Sequence, residues 1–220
     1  MTRPLVAVLD YGIGNLRSAQ KSLERVGADA RLTADAGLIA DAAAVVLPGV
    51  GAFGPVVEAI REAGLDQIAI DAAASGRPFL GICVGMQAMY EGSEESPGVA
   101  GLGILPGTIR LLPDTVKRPQ MQWNKLIVPE AARESPLFAD LPDGGNDAWV
   151  YFVHSYAAVP DNLTIATCDY GGPAVAAVQS GMAFATQFHP EKSSRNGLAI
   201  LKSFVDLAAA EAPATSGATQ

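Results

Sequence analysis

Cys83 lies between two glycines in Gly81-Ile82-Cys83-Val84-Gly85, after a short apolar run and before a helical one. The pattern is that of a nucleophile elbow, G-x-S-x-G, with cysteine in place of serine. On so sharp a strand-to-helix turn the backbone is strained, and side chains two residues to either side would collide. The thiol then stands at a helix N-terminus, where free N–H groups and the helix dipole favour the thiolate, the nucleophilic form. The plainer alternative is a small buried hydrophobe. The flanking glycines and the strand-helix context weigh against it.

Such a nucleophile needs a base, and the base needs a group to orient it. The chain holds only two histidines, His154 and His189. His189 opens His189-Pro190-Glu191 at the expected end of a strand. In extended chain, positions i and i+2 point to the same side. Glu191 can therefore hold one ring nitrogen of His189 while the other faces Cys83. His154, in Tyr151-Phe152-Val153-His154-Ser155-Tyr156, has no carboxylate within four residues. It reads better as a hydrogen-bonded structural or pocket-lining histidine, and stays open as a rival base.

A second glycine-rich loop, Pro48-Gly49-Val50-Gly51-Ala52-Phe53-Gly54, follows another apolar run. Glycines let a backbone approach a ligand closely. Acyl transfer at Cys83 creates an oxyanion that needs backbone donors. The N–H of Val84 is the natural first donor, and the Val50–Gly51 peptide is a candidate for the second. A phosphate cradle is disfavoured, because no Lys-Ser/Thr follows and the spacing is not G-x-G-x-x-G. A merely structural strand-helix turn remains open.

These residues need a scaffold. Apolar runs at 5–9, 44–47 and 78–82 predict buried parallel strands, the second cut by Pro48, with a weaker strand over 29–33. A helix capped by Asn15 carries Leu16, Ala19, Leu23 and Val26 and stops at Gly27. Further helices are predicted over 55–74, broken near Gly64, and over 84–91. Alternating strands and helices imply an α/β fold: a mostly parallel open sheet with helices on both faces. Residues 104–112, 148–154, 163–168, 174–179 and 183–188 read as an added antiparallel β portion. A closing helix is expected over 197–210. The reading is one domain over residues 1–210, with a small, polar, disordered tail over 211–220.

Composition narrows the function classes. The 220 residues carry a formal charge of -8, and the 15 basic residues are scattered, which argues against nucleic acid. No apolar run nears the roughly 18 residues that span a bilayer. Residues 1–10 read as a first strand and not as a signal peptide. Two distant cysteines, Cys83 and Cys168, make no disulfide framework and suit a reducing cytoplasm.

With these residues in hand, the chain resembles the class I glutamine amidotransferases, whose triad is Cys-His-Glu. Among them it is similar to the glutaminase subunits of imidazole glycerol phosphate synthase. Six ordered blocks carry the resemblance: residues 10–15 (Asp-Tyr-Gly-Ile-Gly-Asn), 48–54, 81–87 (ending Met-Gln), 121–124 (Met-Gln-Trp-Asn), 151–156 and 187–193 (Gln-Phe-His-Pro-Glu-Lys-Ser). Two departures stand out: Gln122 replaces a usual glycine, and Val84 a usual leucine. The first bears on the partner-facing surface; the second leaves the backbone donor intact.

The resemblance implies that Cys83, His189 and Glu191 hydrolyse glutamine and pass ammonia to a (β/α)8 barrel cyclase subunit. That partner would make imidazole glycerol phosphate and an aminoimidazole carboxamide ribonucleotide. Gln87 and Glu95 would contact glutamine, with backbone near His154 and Ser155. Asn15, Trp123, Tyr151 and Lys192 would face the partner. No metal or other cofactor is implied. Such subunits are weakly active alone, which a Val50–Gly51 peptide turned away from the oxyanion would explain. The nearest alternative is a glutaminase serving anthranilate, aminodeoxychorismate or pyridoxal phosphate synthesis. A non-catalytic module and a cysteine peptidase or redox protein are more distant ones.

Overall fold

In a computed structural model, residues 3–14 and 16–211 are described. The first half alternates as its apolar runs require: β1 (Leu5–Leu9), α1 (Leu16–Arg25), β2 (Asp29–Thr33), α2 (Ala36–Asp41), β3 (Ala44–Gly49), α3 (Phe53–Glu62), α4 (Asp66–Ala74), β4 (Phe79–Cys83) and α5 (Val84–Ala88). The second half is mostly β: β5 (Gly92–Ser93), β6 (Thr108–Leu111), β7 (Gln120–Lys125), β8 (Trp149–His154), β9 (Tyr156–Ala157), β10 (Thr164–Asp169), β11 (Pro173–Ser180) and β12 (Ala183–Thr186). Helix α6 (Ser194–Glu211) closes it. Among the described residues no helix is long and apolar enough to cross a membrane.

The main sheet has seven strands in the order β10-β11-β12-β4-β3-β1-β2. From β12 to β2 they run parallel; β10 and β11 join antiparallel. Every residue of β3 and β4 is buried, as strands covered on both faces must be. Helices α1 and α6 pack on one another and on β1; α2 and α4 pack together, as do α3 and α5. One core cluster runs from Val6 to Ala208. The α/β class and the antiparallel addition expected from the sequence are both present. Asn15 and residues 212–220, which include most of the expected tail, lie outside the described residues.

Several boundaries differ from expectation, and three of them have a plain physical reason. β3 is not cut by Pro48 but runs on to Gly49. The ladder to β1 ends at Val46, so the missing N–H of Pro48 falls where no β1 partner is paired. The Pro48 carbonyl accepts from the Tyr11 hydroxyl at 2.5 Å. Helix α5 ends at Ala88 because the chain after it bonds elsewhere. Leu102 N–H donates to Ala88 O, Leu105 N–H to Met89 O, and Glu91 N–H to Gly107 O. The same bonds hold residues 101–107 as an irregular loop, which shortens the strand expected over 104–112 to β6. Helix α2, which the sequence reading missed, starts from an Asp35 side chain that accepts from Leu38 N–H at 2.7 Å.

Candidate active site

The three chain segments that matter meet at one rim of the sheet. β12, β4 and β3 are neighbours and parallel, so their C-terminal ends lie side by side. Gly49 closes β3, Cys83 closes β4, and His189 follows β12 three residues on. Ligands of open α/β sheets collect at this edge.

Cys83 has φ 54° and ψ −114°, outside the ordinary L-residue regions. Such a conformation costs on the order of 1–3 kcal/mol and persists only where its surroundings impose it. Two glycines beside it are required by close approach. A Cβ on Gly85 would stand 1.9 Å from Leu47 O, and one on Gly81 would meet Met89 Sδ at 2.4 Å. Gly49 packs the same way, its Cβ position only 2.3 Å from Gly85 N. The glycine loop is thus pressed directly against the elbow. Val84 is the first residue of α5, so its N–H has no acceptor within that helix.

His189 Nδ1 and Glu191 Oε1 are 2.7 Å apart, both side chains almost wholly buried. Their spacing arises differently from the extended geometry expected. Residues Pro190–Lys192 form a single 3-10 turn, which brings Glu191 back onto the ring. Glu191 Oε2 is buried without a partner among the described residues. Burial pushes the His189 pKa down. The Cys83 side chain and Glu191, both hydrogen-bonding and charged neighbours of the ring, outweigh that and raise it to about 9. The His189 ring is therefore held as imidazolium at neutral pH. This contribution to stability is complete below about pH 6.5 and is lost as pH rises through about 9.

The turn is anchored to β8 by a closed set of bonds. Tyr151 N–H donates to Ser193 Oγ at 2.9 Å, and Ser193 O–H donates to His189 O at 2.6 Å. His189 N–H then donates to Tyr151 O at 3.1 Å. β8 pairs with β7 in a two-stranded ribbon that sets Trp123 opposite Tyr151. The two rings stack edge-on, 6.1 Å apart. Met121, Trp123 and Trp149 are exposed on this ribbon. Lys192 is exposed on the adjoining turn.

The other expected residues divide. Gln87 lies at the site: its side-chain NH2 donates to Tyr156 O at 2.9 Å and to Gln187 Oε1 at 3.0 Å. Glu95 holds the glycine loop, with Oε2 accepting from Phe53 N–H at 2.8 Å, while Ser96 Oγ accepts from Gly54 N–H at 3.0 Å. Gly51, at φ +104°, has open space around it. The Ser155 carbonyl is taken by Leu112 N–H. Sequence reasoning missed Gln187 as a contact. It is fully buried, with Nε2 3.8 Å from Cys83 Sγ. Its signal was its place two residues before His189. Among the described residues, no three His, Cys, Asp or Glu side chains cluster to hold a metal ion.

His154 does not partner Cys83. Its Nδ1 lies 2.8 Å from Tyr156 O, so Nδ1 carries the proton. The Gln120 amide approaches Nε2 at 3.0 Å. Burial lowers the His154 pKa to about 4, so the ring is neutral and Nε2 accepts. The Gln120 NH2 must therefore face the ring, leaving the Gln120 oxygen to the buried Cys168 thiol. The unfolded chain protonates His154 near pH 6.5, the folded one only near 4. Stability from this group is present above 6.5 and is lost on acidification, by roughly 3 kcal/mol. Urea unfolding between pH 7 and 4 should show a flatter pH dependence in His154→Gln; an unchanged slope would count against this assignment.

Residues 7–207 match the family described as glutamine amidotransferase class-I. The chain belongs to that family. It is 44% identical to the imidazole glycerol phosphate synthase subunit HisH of Methanothermobacter thermautotrophicus, over 92% of this chain and 98% of that one. It is 48% identical to the subunit of the same name from Deinococcus radiodurans, over 91% and 93%. Within the family it therefore groups with the HisH subunits. Its fold matches PurLQS from Thermotoga maritima with a TM-score of 0.73, over 93% of this chain and 98% of that one, at 22% identity.

Proposed function

We propose that this chain is the glutaminase subunit of an imidazole glycerol phosphate synthase and that Cys83, His189 and Glu191 carry its chemistry. The observation that carries the reading is the strained Cys83 elbow meeting the buried His189–Glu191 pair. The Cys83 thiolate adds to the side-chain amide carbon of glutamine. His189 gives its proton to the departing ammonia, leaving a glutamyl thioester, then takes a proton from water as glutamate is released. Glu191 orients the ring. The N–H of Val84 and a donor from the Val50–Gly51 peptide hold the oxyanion. Gln87, Glu95 and the backbone around His154 and Ser155 hold the substrate.

Ammonia leaves for a (β/α)8 barrel cyclase, with Trp123, Tyr151 and Lys192 on the docking face. The exposed aromatic ribbon tied to His189 supports that placement. The working unit is one domain over residues 1–210, supported by the continuous core. Its free cysteines suit the reducing cytoplasm. No metal or other cofactor takes part.

Glutaminase turnover alone and with the cyclase plus its nucleotide tests the reading. A second oxyanion donor swung into place is worth about 10²–10³-fold in kcat, so a rise of that order is expected. Equal rates, or ammonia transfer to another biosynthetic synthase instead, would refute it.

A further inference from the structure

We propose that Gln187 is a positioning residue that holds Cys83 as the thiolate and fixes Gln87 so that only its carbonyl oxygen is offered to substrate. This rests on the glutaminase reading above.

Gln187 is fully buried, and a buried amide needs partners for both its ends. Its Nε2 lies 3.8 Å from Cys83 Sγ and its Oε1 lies 3.0 Å from Gln87 Nε2. The orientation follows from the Tyr156 carbonyl. A carbonyl can only accept, so Gln87 presents its NH2 there at 2.9 Å. The same NH2 meets Gln187, which must answer with its oxygen and so turns its own NH2 toward the sulfur. Both Gln87 hydrogens are spent, and only Oε1 is left. An acceptor there selects a group bearing N–H, the ammonium or carboxamide of an amino-acid amide, and repels a carboxylate.

Among the described residues, no other neutral side chain supplies this donor. Of the ionisable groups whose charge reaches Cys83, His189 is bound to Glu191 on its far side, and Tyr11 has Asp10 beside it. The Tyr11 hydroxyl donates to Pro48 O and so offers no proton to the thiol. Helix α5 is only five residues long, which limits its dipole.

The test is the pH dependence of Cys83 alkylation by iodoacetamide in the full chain, with the labelled site separated from Cys168 by mass spectrometry. Gln187→Met removes the donor without adding charge. Its alkylation midpoint should rise by about one pH unit. Gln187→Glu keeps an acceptor for Gln87 but places a carboxylate beside the sulfur, so its midpoint should rise further. Steady-state kinetics with the partner divide the two roles. In Gln187→Glu the loss falls on kcat with KM for glutamine unchanged. In Gln187→Met kcat falls and KM rises as Gln87 loses its orientation.

A folded variant whose alkylation profile overlays the parent's overturns the proposal. Should neither variant fold, the side-chain amide signal of Gln187 in the unaltered protein is followed by NMR as the thiol titrates. It should move with that titration; a signal that stays still overturns the proposal. A parent that hydrolyses no glutamine in its complex, while the variants still shift alkylation, removes the glutaminase reading and leaves the Gln187–Cys83 pairing standing.

Discussion

Replacing Cys83 with serine is expected to lower glutamine hydrolysis by at least about 10³-fold, because the nucleophile and its base act as a unit. A hydroxyl is a far weaker acid and a poorer nucleophile than a thiol, and the imidazolium that the surroundings of His189 favour cannot make up the difference. The substitution changes little else. Serine is close to cysteine in shape, and the elbow conformation is imposed by Gly49, Gly81 and Gly85 against their neighbours. The melting temperature should therefore stay near that of the parent. In complex with the cyclase, synthesis driven by added ammonium should persist, since the proposed function puts acceptor chemistry on the partner. Two measurements decide it: glutamate release, and product formation from ammonium salts. Glutamine turnover above about one percent of the parent, or loss of the ammonium-driven reaction in an intact complex, would sink the assignment.

The second large effect is structural. Gly85→Ala should cost at least about 3 kcal/mol of stability, through overpacking that nothing nearby can relieve. Its Cβ would stand 1.9 Å from Leu47 O, 2.8 Å from Leu47 C and 3.0 Å from Pro48 C, all backbone atoms. β3 lies between β1 and β4 in the sheet and has no room to withdraw. Gly51→Ala makes the control. Its added methyl meets nothing within 4 Å, although its φ of +104° is unfavourable to alanine. It should lose only about 1–2 kcal/mol and disturb turnover more than folding. Urea unfolding of both variants gives the comparison. A Gly85→Ala protein as stable as Gly51→Ala would show that the elbow does not press on β3 as described.

The elbow was legible in the sequence because its glycines answer to local sterics, and local sterics are written in consecutive residues. The parallel strands were legible for a similar reason: Val45, Val46 and Leu47, or Phe79 and Leu80, are apolar on both faces. The β7 ribbon was not. Its residues, Gln-Met-Gln-Trp-Asn-Lys, alternate only briefly, and the apolar Met121 and Trp123 are exposed, since the strand pairs only with β8. Pairing His189 with Glu191 was reached through an extended spacing that the chain does not use. A proline-initiated 3-10 turn delivers the same contact. Gln187 carried only the signal of its place two residues before His189, because its partners Cys83 and Gln87 are about a hundred residues earlier in the chain. Likewise nothing short-range reveals that Glu95 closes on Phe53 N–H.

The loop of bonds joining Tyr151, Ser193 and His189 makes the proton carrier and the outer ribbon one mechanical body. A visitor leaning on Trp123 pushes a lever whose short arm is the imidazole itself. Under the proposed function, such a linkage would let a docked receiver set the rate at which a volatile product is made.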